Sequence, residues 1–390
     1  MDKIVKAMMN LISFEVFGGA ICLELFSDFT NDDYIALYKL SKKHDLAHLV
    51  GDALIKNNLV IDEKIKSAFQ KEVFTAVYRA ENMTHEIAEI SAILEKEKIE
   101  FIPLKGAVIR NYYPEAWMRT SCDIDILVHE KDTKRAVKLL TTKYGYTCPI
   151  KTFHDFSLYS KTNVHIELHF ILNFYERRDE EFLKKVWKNA KTADGFEYQK
   201  KMTESFFLVH TVSHMAQHVL GGGCGIKPFI DLYILKYRAN ISFEEAMPEL
   251  EFFHLDSFCK NMLKIAECWL NDKGIDEKLA PFETYIIEGG VYGSLENSVS
   301  VGTVRRGGKV KYIFSRLFLP YRELSLLYPS LKKCPVLLPI YEVRRWFRLL
   351  NKHGKSPKEI KNELKNVTAV SKEDSEKAKS MLASIGLEKE

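Results

Sequence analysis

Two carboxylates set inside an otherwise apolar run constrain this chain more than any other feature. The run is Cys122-Asp123-Ile124-Asp125-Ile126-Leu127-Val128. Its alternation predicts a β-strand, and residues two apart on a strand point to the same side. Asp123 and Asp125 therefore project together from one face, with Ile124, Ile126 and Val128 on the other. Two acids held this close repel one another and shift each other's pKa unless a cation neutralises them. A hard dication that prefers oxygen ligands, magnesium or manganese, meets that need. The alternative is that the pair marks a strand end or turn, but three apolar residues follow Asp125 within the same run. A third acid in a similar setting, Glu167 in Ile166-Glu167-Leu168, is expected on a neighbouring strand, closing a set of three.

Upstream, Ile99-Glu100-Phe101-Ile102-Pro103-Leu104 reads as a strand and Lys105-Gly106-Ala107 as a turn into a short helix, Val108 to Tyr112. Bare backbone N–H groups at such a turn can hold phosphate oxygens, although a Lys-Gly pair is more often only a turn. Lys105 would add a point charge to a triphosphate. Arg119, just ahead of the acid pair, would do the same or pair with an acid.

The organisation around these residues is mixed. Residues 1–98 read as helices, with Thr30 and Asp33 as a cap and a long helical pattern from Asp62 to Lys98. Residues 99–172 alternate strands and helices: a helix over Lys131 to Tyr144 and strands at Tyr146 to Cys148, Phe153 to Ser160 and Val164 to Leu172. Residues 173–288 return to helices at Glu181 to Ala190, Thr203 to Leu220, from Lys227, Ser242 to Leu270 and Lys278 to Glu288, interrupted by Gly221-Gly222-Gly223-Cys224-Gly225. In residues 289–390, the stretch from Gly289 to Gly308 has no clear period and reads as a mobile loop. Basic helices broken at Pro320, Pro329, Pro335 and Pro339 follow, and the last twenty or so residues read as a polar helix or frayed tail. The fold class is α+β: a small mixed sheet flanked by two helical regions.

Composition narrows the setting. With 46% hydrophobic and 28% charged residues, the chain is a packed globular protein and not a disordered one. Its seven cysteines are scattered, odd in number and without a CxxC pair, which favours buried thiols in a reducing compartment. The apolar stretch from Leu11 to Phe26 is interrupted by Glu15 and Gly18-Gly19, and no window is long and apolar enough to span a bilayer. A cytoplasmic location is expected. Net charge is only +4, yet Arg305 to Lys361 holds fifteen basic residues against Glu323, Glu342 and Glu359. That segment suits a phosphate-rich partner such as RNA, nucleotide or a membrane surface, or it is a solvated helical face.

The combination Leu104-Lys105-Gly106, Arg119, Asp123-Ile124-Asp125-Ile126-Leu127-Val128 and Ile166-Glu167-Leu168-His169 resembles the uncharacterised nucleotidyltransferase family, related to the DNA polymerase beta superfamily. A looser resemblance runs on through His214, His218, the glycine break and Asp231. It implies a polymerase beta-like sheet that moves a nucleoside monophosphate from a nucleoside triphosphate, ATP among them, to an acceptor with release of pyrophosphate. By the same resemblance Gly106 matches the turn glycine, Asp123 and Asp125 the metal ligands and Glu167 the third acid. Where the superfamily usually has Gly-Ser or Gly-Gly, this chain has Gly106-Ala107, without a hydroxyl for phosphate. The acceptor is a small hydroxylated molecule, a protein side chain or an RNA end. The rival reading is a degenerate fold that binds nucleotide or a partner without turnover.

Further polar residues surround this centre. His210, His214 and His218 recur every fourth residue and share a helix face; they are packed histidines, zinc ligands or substrate contacts. Lys227 and Asp231 are spaced for a simple helix ion pair. By the resemblance, Asp231 or His214 is the base that activates the acceptor. His154, Asp155, His165 and His169 complete the polar cluster around Glu167.

Overall fold

A computed structural model describes residues 2–60, 62–152, 154–172, 182–350, 365–367 and 369–387. Four helices lead: α1 (Lys3–Phe17), α2 (Asn31–Lys43), α3 (Ala47–Lys56) and α4 (Glu63–Lys96). Helix α1 stops where Gly18 takes a left-handed conformation, φ 71°, and its buried Glu15 is met by Lys56 Nζ at 2.7 Å. Thr30 and Asp33 form the reciprocal capping box anticipated for α2. Helix α4 is a single 34-residue rod that reaches the sheet through Met83, Ile90, Ile93 and Leu94.

The sheet follows: β1 (Phe101–Pro103), the short helix α5 (Gly106–Ile109), β2 (Asp123–Val128), α6 (Glu130–Thr142), β3 (Thr147–Lys151), β4 (Asp155–Tyr159) and β5 (His165–His169). Its order is β1-β2-β5-β4-β3. Only β2 and β5 pair in parallel; β1–β2, β4–β5 and β3–β4 are antiparallel. One face is apolar, with Ile124, Ile126, Val128, Ile166 and Leu168 packed against α4 and against Ala136 and Leu140 of α6. Truncating any of these isoleucines or leucines to alanine is expected to cost about 2–5 kcal/mol.

Between Ala190 and Met202 the chain makes a two-stranded hairpin, β6 (Ala190–Thr192) and β7 (Lys200–Met202). The sequence reading missed it and placed a helix from Glu181 to Ala190. Glu181 lies outside the described residues, residues 182–183 are helical as expected, and residues 186–189 form a 3-10 turn. Two three-residue strands are too short to show a period.

Further helices among the described residues are α7 (Glu204–Gly221), α8 (Lys227–Tyr237), α9 (Phe243–Phe252), α10 (Asp256–Leu270), α11 (Ala280–Gly289), α12 (Leu295–Arg305), α13 (Lys309–Leu317), α14 (Tyr321–Leu327), α15 (Leu338–Leu350) and α16 (Lys372–Ser384). Helices α1 to α3 share one apolar core with α7 to α11 and with Met381, Leu382 and Ile385 at the C-terminal end. The last helix is therefore docked and not frayed.

Residues 289–308 correct an expectation too. They contain α12 and not a mobile loop: Ser294 caps it by accepting from Asn297 N, and Val299 and Val301 are fully buried. Gly and Ser obscured its period, and tertiary packing supplies what propensity does not. All seven cysteines are free, and the expectation of burial holds for Cys224, Cys259 and Cys268 while Cys122 and Cys334 are exposed. No helix among the described residues is long and apolar enough to cross a membrane.

Two histidines tie the N-terminal helices to the rest. His44 Nε2 lies 3.0 Å from the Ile287 carbonyl oxygen and His48 Nε2 3.2 Å from that of Met118. Burial, above all, pushes both pKa values down to about 4. The unfolded chain, with histidine near 6.5, takes up these protons first as the pH falls. Stability present above roughly pH 6.5 is thus lost on acidification toward the folded-state values. A His44→Gln/His48→Gln variant should show a shallower decline in thermal midpoint than wild type between neutral and mildly acidic buffer. Parallel declines would place the acid sensitivity elsewhere.

Candidate active site

The face of the sheet opposite α4 and α6 carries the acids. In the parallel register Asp123 lies beside His165 and Asp125 beside Glu167, so alternation puts Asp123, Asp125, Glu167, His165 and His169 on one side. Their ligating atoms converge: Asp125, Glu167 and His169 offer atoms within 4.8 Å of one another, and so do Asp123, His165 and Glu167. Glu167 belongs to both groups. His154, Asp155 and His169 form a third such group, with the His154 ring stacked on that of His169 at 5.5 Å.

This concentration of charge displaces the titrations. Burial, then the charges of Asp125 and Glu167, pushes Asp123 up to about 6. Burial alone would raise Asp125 as well, but Lys105 and His169 outweigh it and hold that carboxyl far below the usual range. Lys105 Nζ donates to Asp125 Oδ1 at 3.0 Å, and His169 Nε2 lies 2.7 Å from the same oxygen. Although burial opposes it, the hydrogen bonds to Asp125 and Glu167 raise His169 to about 9. Lys105 likewise stays above the ordinary lysine value despite burial, because Asp125, Asp123 and Glu167 surround it.

Lys105 reaches Asp125 through an unusual turn. Its backbone sits at φ 44°, ψ −118°, and Ala107 N donates to Leu104 O at 3.1 Å. This is a type II′ turn with lysine where glycine is usual, a strain of about 1–3 kcal/mol. Gly106, next in the chain, has no positive φ. A Cβ there would meet Ser121 Cβ at 3.4 Å and Ser121 Oγ at 3.5 Å, ordinary contacts. Neither backbone angle nor crowding therefore demands a glycine at 106, and its bare backbone lies beside a serine hydroxyl. Close by, Arg110 is buried with Nε and Nη1 unpartnered among the described residues; burial, then the charge of Arg119, pushes its pKa down to about 10.

Arg119 pairs with an acid, one of its two expected arrangements. Its Nε and Nη2 donate to the two oxygens of Asp231 at 2.8 Å each, and Nη1 donates to Thr120 O at 2.6 Å. Tyr113 Oη adds a third donor to Asp231 at 2.8 Å. The expected Lys227–Asp231 helix pair is not what forms. Lys227 Nζ turns instead to Asp45 at 2.6 Å and to Thr120, because Arg119 and Tyr113 already occupy Asp231. Helix α8 is thereby clamped to the segment that leads into β2.

On α7, His214 Nε2 lies 3.1 Å from His218 Nε2. Burial first, then the charge of Lys105, lowers the pKa of His210, His214 and His218, and Asp125 opposes the shift in all three. The histidine face therefore looks toward the acid centre. Among the described residues it joins no group with metal-ligand spacing.

One neighbour was not legible in the sequence. Tyr292 Oη lies 3.6 Å from Cys122 Sγ, next to Asp123, with its ring largely exposed. Its loop is pinned where Gly293 crosses the glycine break: a Cβ on Gly293 would sit 2.2 Å from the Gly222 backbone, and Ser294 N donates to Gly222 O at 3.3 Å.

A family model described as uncharacterised nucleotidyltransferase matches residues 30–271. The chain belongs to that family. The match spans every residue of this candidate site from Lys105 to Asp231 and ends before Tyr292 and the basic C-terminal helices. No curated protein and no solved structure matches the chain.

The donor set of this family member suits a hard dication, with carboxylate oxygens on both strands and a repulsion at Asp123 that a cation would relieve. Magnesium or manganese should raise the thermal midpoint by binding the folded state, by an amount equivalent to about 2.7 kcal/mol at a hundred-fold excess over Kd. Asp123→Asn and Glu167→Gln should each reduce that shift. Because protons compete for Asp123, the effect should weaken as the pH drops through about 6 and do so less in Asp123→Asn. An unchanged metal response in both variants would remove these acids from the site.

Proposed function

We propose that this chain transfers a nucleoside monophosphate from a nucleoside triphosphate to a hydroxyl-bearing acceptor, releasing pyrophosphate, on a sheet of the polymerase beta type. The observation that carries the reading is that Asp123, Asp125 and Glu167 share one sheet face, with Glu167 common to the two groups of ligand atoms that hold Asp123 and Asp125, beside the strained Lys105–Gly106 turn. Asp123, Asp125 and Glu167 would hold magnesium or manganese, which neutralises charge and aligns the attacking and leaving oxygens. The acceptor oxygen attacks the α-phosphorus, the bond to the bridging oxygen breaks, and pyrophosphate leaves.

Residues of the chain do the rest. Gly106 offers its backbone N–H to the triphosphate, with Lys105 as a nearby positive charge. The Ser121 hydroxyl beside Gly106 stands in for the hydroxyl that Ala107 lacks. Arg119 acts as a positioning residue through Asp231, whose two oxygens already accept from Arg119 and Tyr113. That leaves His214, kept neutral by burial, as the better candidate to take the acceptor's proton. The acceptor class, whether small molecule, protein side chain or RNA end, is open to the experiment that follows.

Protein and cell extract incubated with labelled triphosphates and magnesium, then analysed by mass spectrometry, should reveal a nucleotidylated product and equimolar pyrophosphate. Asp125→Asn should lower turnover by about 100-fold or more. Gly106→Ala should leave stability within about 1 kcal/mol while raising KM for the triphosphate. Ser121→Ala should lower kcat/KM by about ten-fold, the worth of one hydrogen bond to a charged group. Tight triphosphate binding without pyrophosphate release from any triphosphate would establish the rival reading, a binding module without turnover.

A further inference from the structure

Helix α15 buries an ion pair and exposes an apolar stripe. Two of its charged residues face the protein: Glu342 and Arg345 are buried, Arg345 Nε donates to Glu342 Oε2 at 2.9 Å, and Glu342 Oε1 accepts from Leu319 N at 2.6 Å. Arg345 also donates to Leu317 O. Leu338 and Tyr341 pack on Leu324, Tyr328 and Leu331, while a second apolar stripe faces out. Ile340, Val343 and Phe347, spaced i, i+3, i+7, are 62%, 51% and 65% exposed. A helix in a globular protein normally buries that stripe.

The exposed face continues onto α13, where Val310 and Phe314 are 81% and 62% exposed. Ring contacts bridge the two helices, Phe314 to Phe318 at 4.8 Å and Phe318 to Trp346 at 5.5 Å. Among the described residues, half of the chain's exposed large apolar side chains fall between Val310 and Phe347. Exposed cations accompany them, Lys311 on α13, Arg344 and Arg348 on α15, and Lys332 and Lys333 in the chain between. Of the acids in this stretch, Glu342 is turned inward against Arg345. Arg345, which the sequence alone places with its basic neighbours, is a structural residue.

From this we infer that the face formed by α13 and α15 docks on an anionic lipid surface as an interfacial element, lying on the bilayer and not crossing it. Exposed apolar surface on two helices that also present cations matches the acyl boundary and acidic headgroups of such a surface. A second copy of the chain fits less well, because an isologous contact would bring like cations together. RNA would use the cations and the aromatic rings, but it has no use for exposed Val310, Ile340 and Val343. The inference is independent of the transfer chemistry.

The test uses the full chain and vesicles of phosphatidylcholine with or without phosphatidylglycerol. Wild type should co-sediment with the anionic vesicles about ten-fold or more tightly than with neutral ones, and less so as salt rises. Brominated lipid should quench Trp346, a signal absent from Trp346→Phe. Val343→Ser/Phe347→Ser, at exposed positions that leave the fold intact by circular dichroism, should lose about ten-fold at both low and moderate salt. Arg344→Ser/Arg348→Ser should lose a similar factor at low salt and show a shallower salt dependence. The inference is overturned by equal affinity for both vesicle types, by unchanged vesicle binding in the Val343/Phe347 variant, or by RNA binding with no vesicle binding. Sedimentation velocity that shows a dimer abolished by the Val343/Phe347 variant, without vesicle binding, would overturn it in favour of a self-association surface.

Discussion

The structure turns on the mutual repulsion of three carboxylates gathered on one face of a small sheet. Asp123, Asp125 and Glu167 could not be held this close in a buried setting without compensation. Lys105 and His169, both bound to Asp125 Oδ1, supply part of it. The result is asymmetric: Asp125 is fully ionised while Asp123 keeps an elevated pKa. A site with one satisfied acid and one acid still short of positive charge is poised for a cation. The strained backbone at Lys105 belongs to the same arrangement, since the turn returns its ammonium to the strand that follows.

Around this centre the helices act as a frame. The Arg119–Asp231 bidentate pair and the Lys227–Asp45 contact join the segment before β2 to α8 and to the end of α2. Both tie charged groups across elements far apart in the chain, and breaking either would leave a buried charge unpaired. The crossing of Gly222 and Gly293 fixes the loop that brings Tyr292 to the rim. Residues beyond the span of the family match thus complete the surroundings of a site that lies within it. The C-terminal helices follow a different logic, with an ion pair inside and aliphatic side chains outside.

Much of the local structure, and the grouping of acids in the candidate site, was legible in the sequence. The alternation of Cys122 to Val128 determined the strand and the shared face of its acids, because side-chain direction in a strand has a fixed period of two. Glu167 between apolar residues, the long helix before the sheet and the Thr30–Asp33 cap were readable for similar local reasons. Charge bias in the C-terminal segment was countable as well.

What only the tertiary structure decided depends on partners distant in sequence. The parallel register that sets Asp125 beside Glu167 is a pairing between strands separated by a helix and a hairpin, which no local pattern encodes. Arg119 had two plausible fates, and the approach of α8 chose the acid. Lys227 and Asp231 had the spacing of a helix pair, yet stronger partners elsewhere drew them apart. Helix α12 lacks a period of its own and exists because Val299 and Val301 find a core. Composition showed α15 to be basic, but which of its faces is turned outward was settled by the burial of Glu342 against Arg345 and Leu319. Sequence fixes the direction of side chains along an element, and packing between elements fixes what they meet.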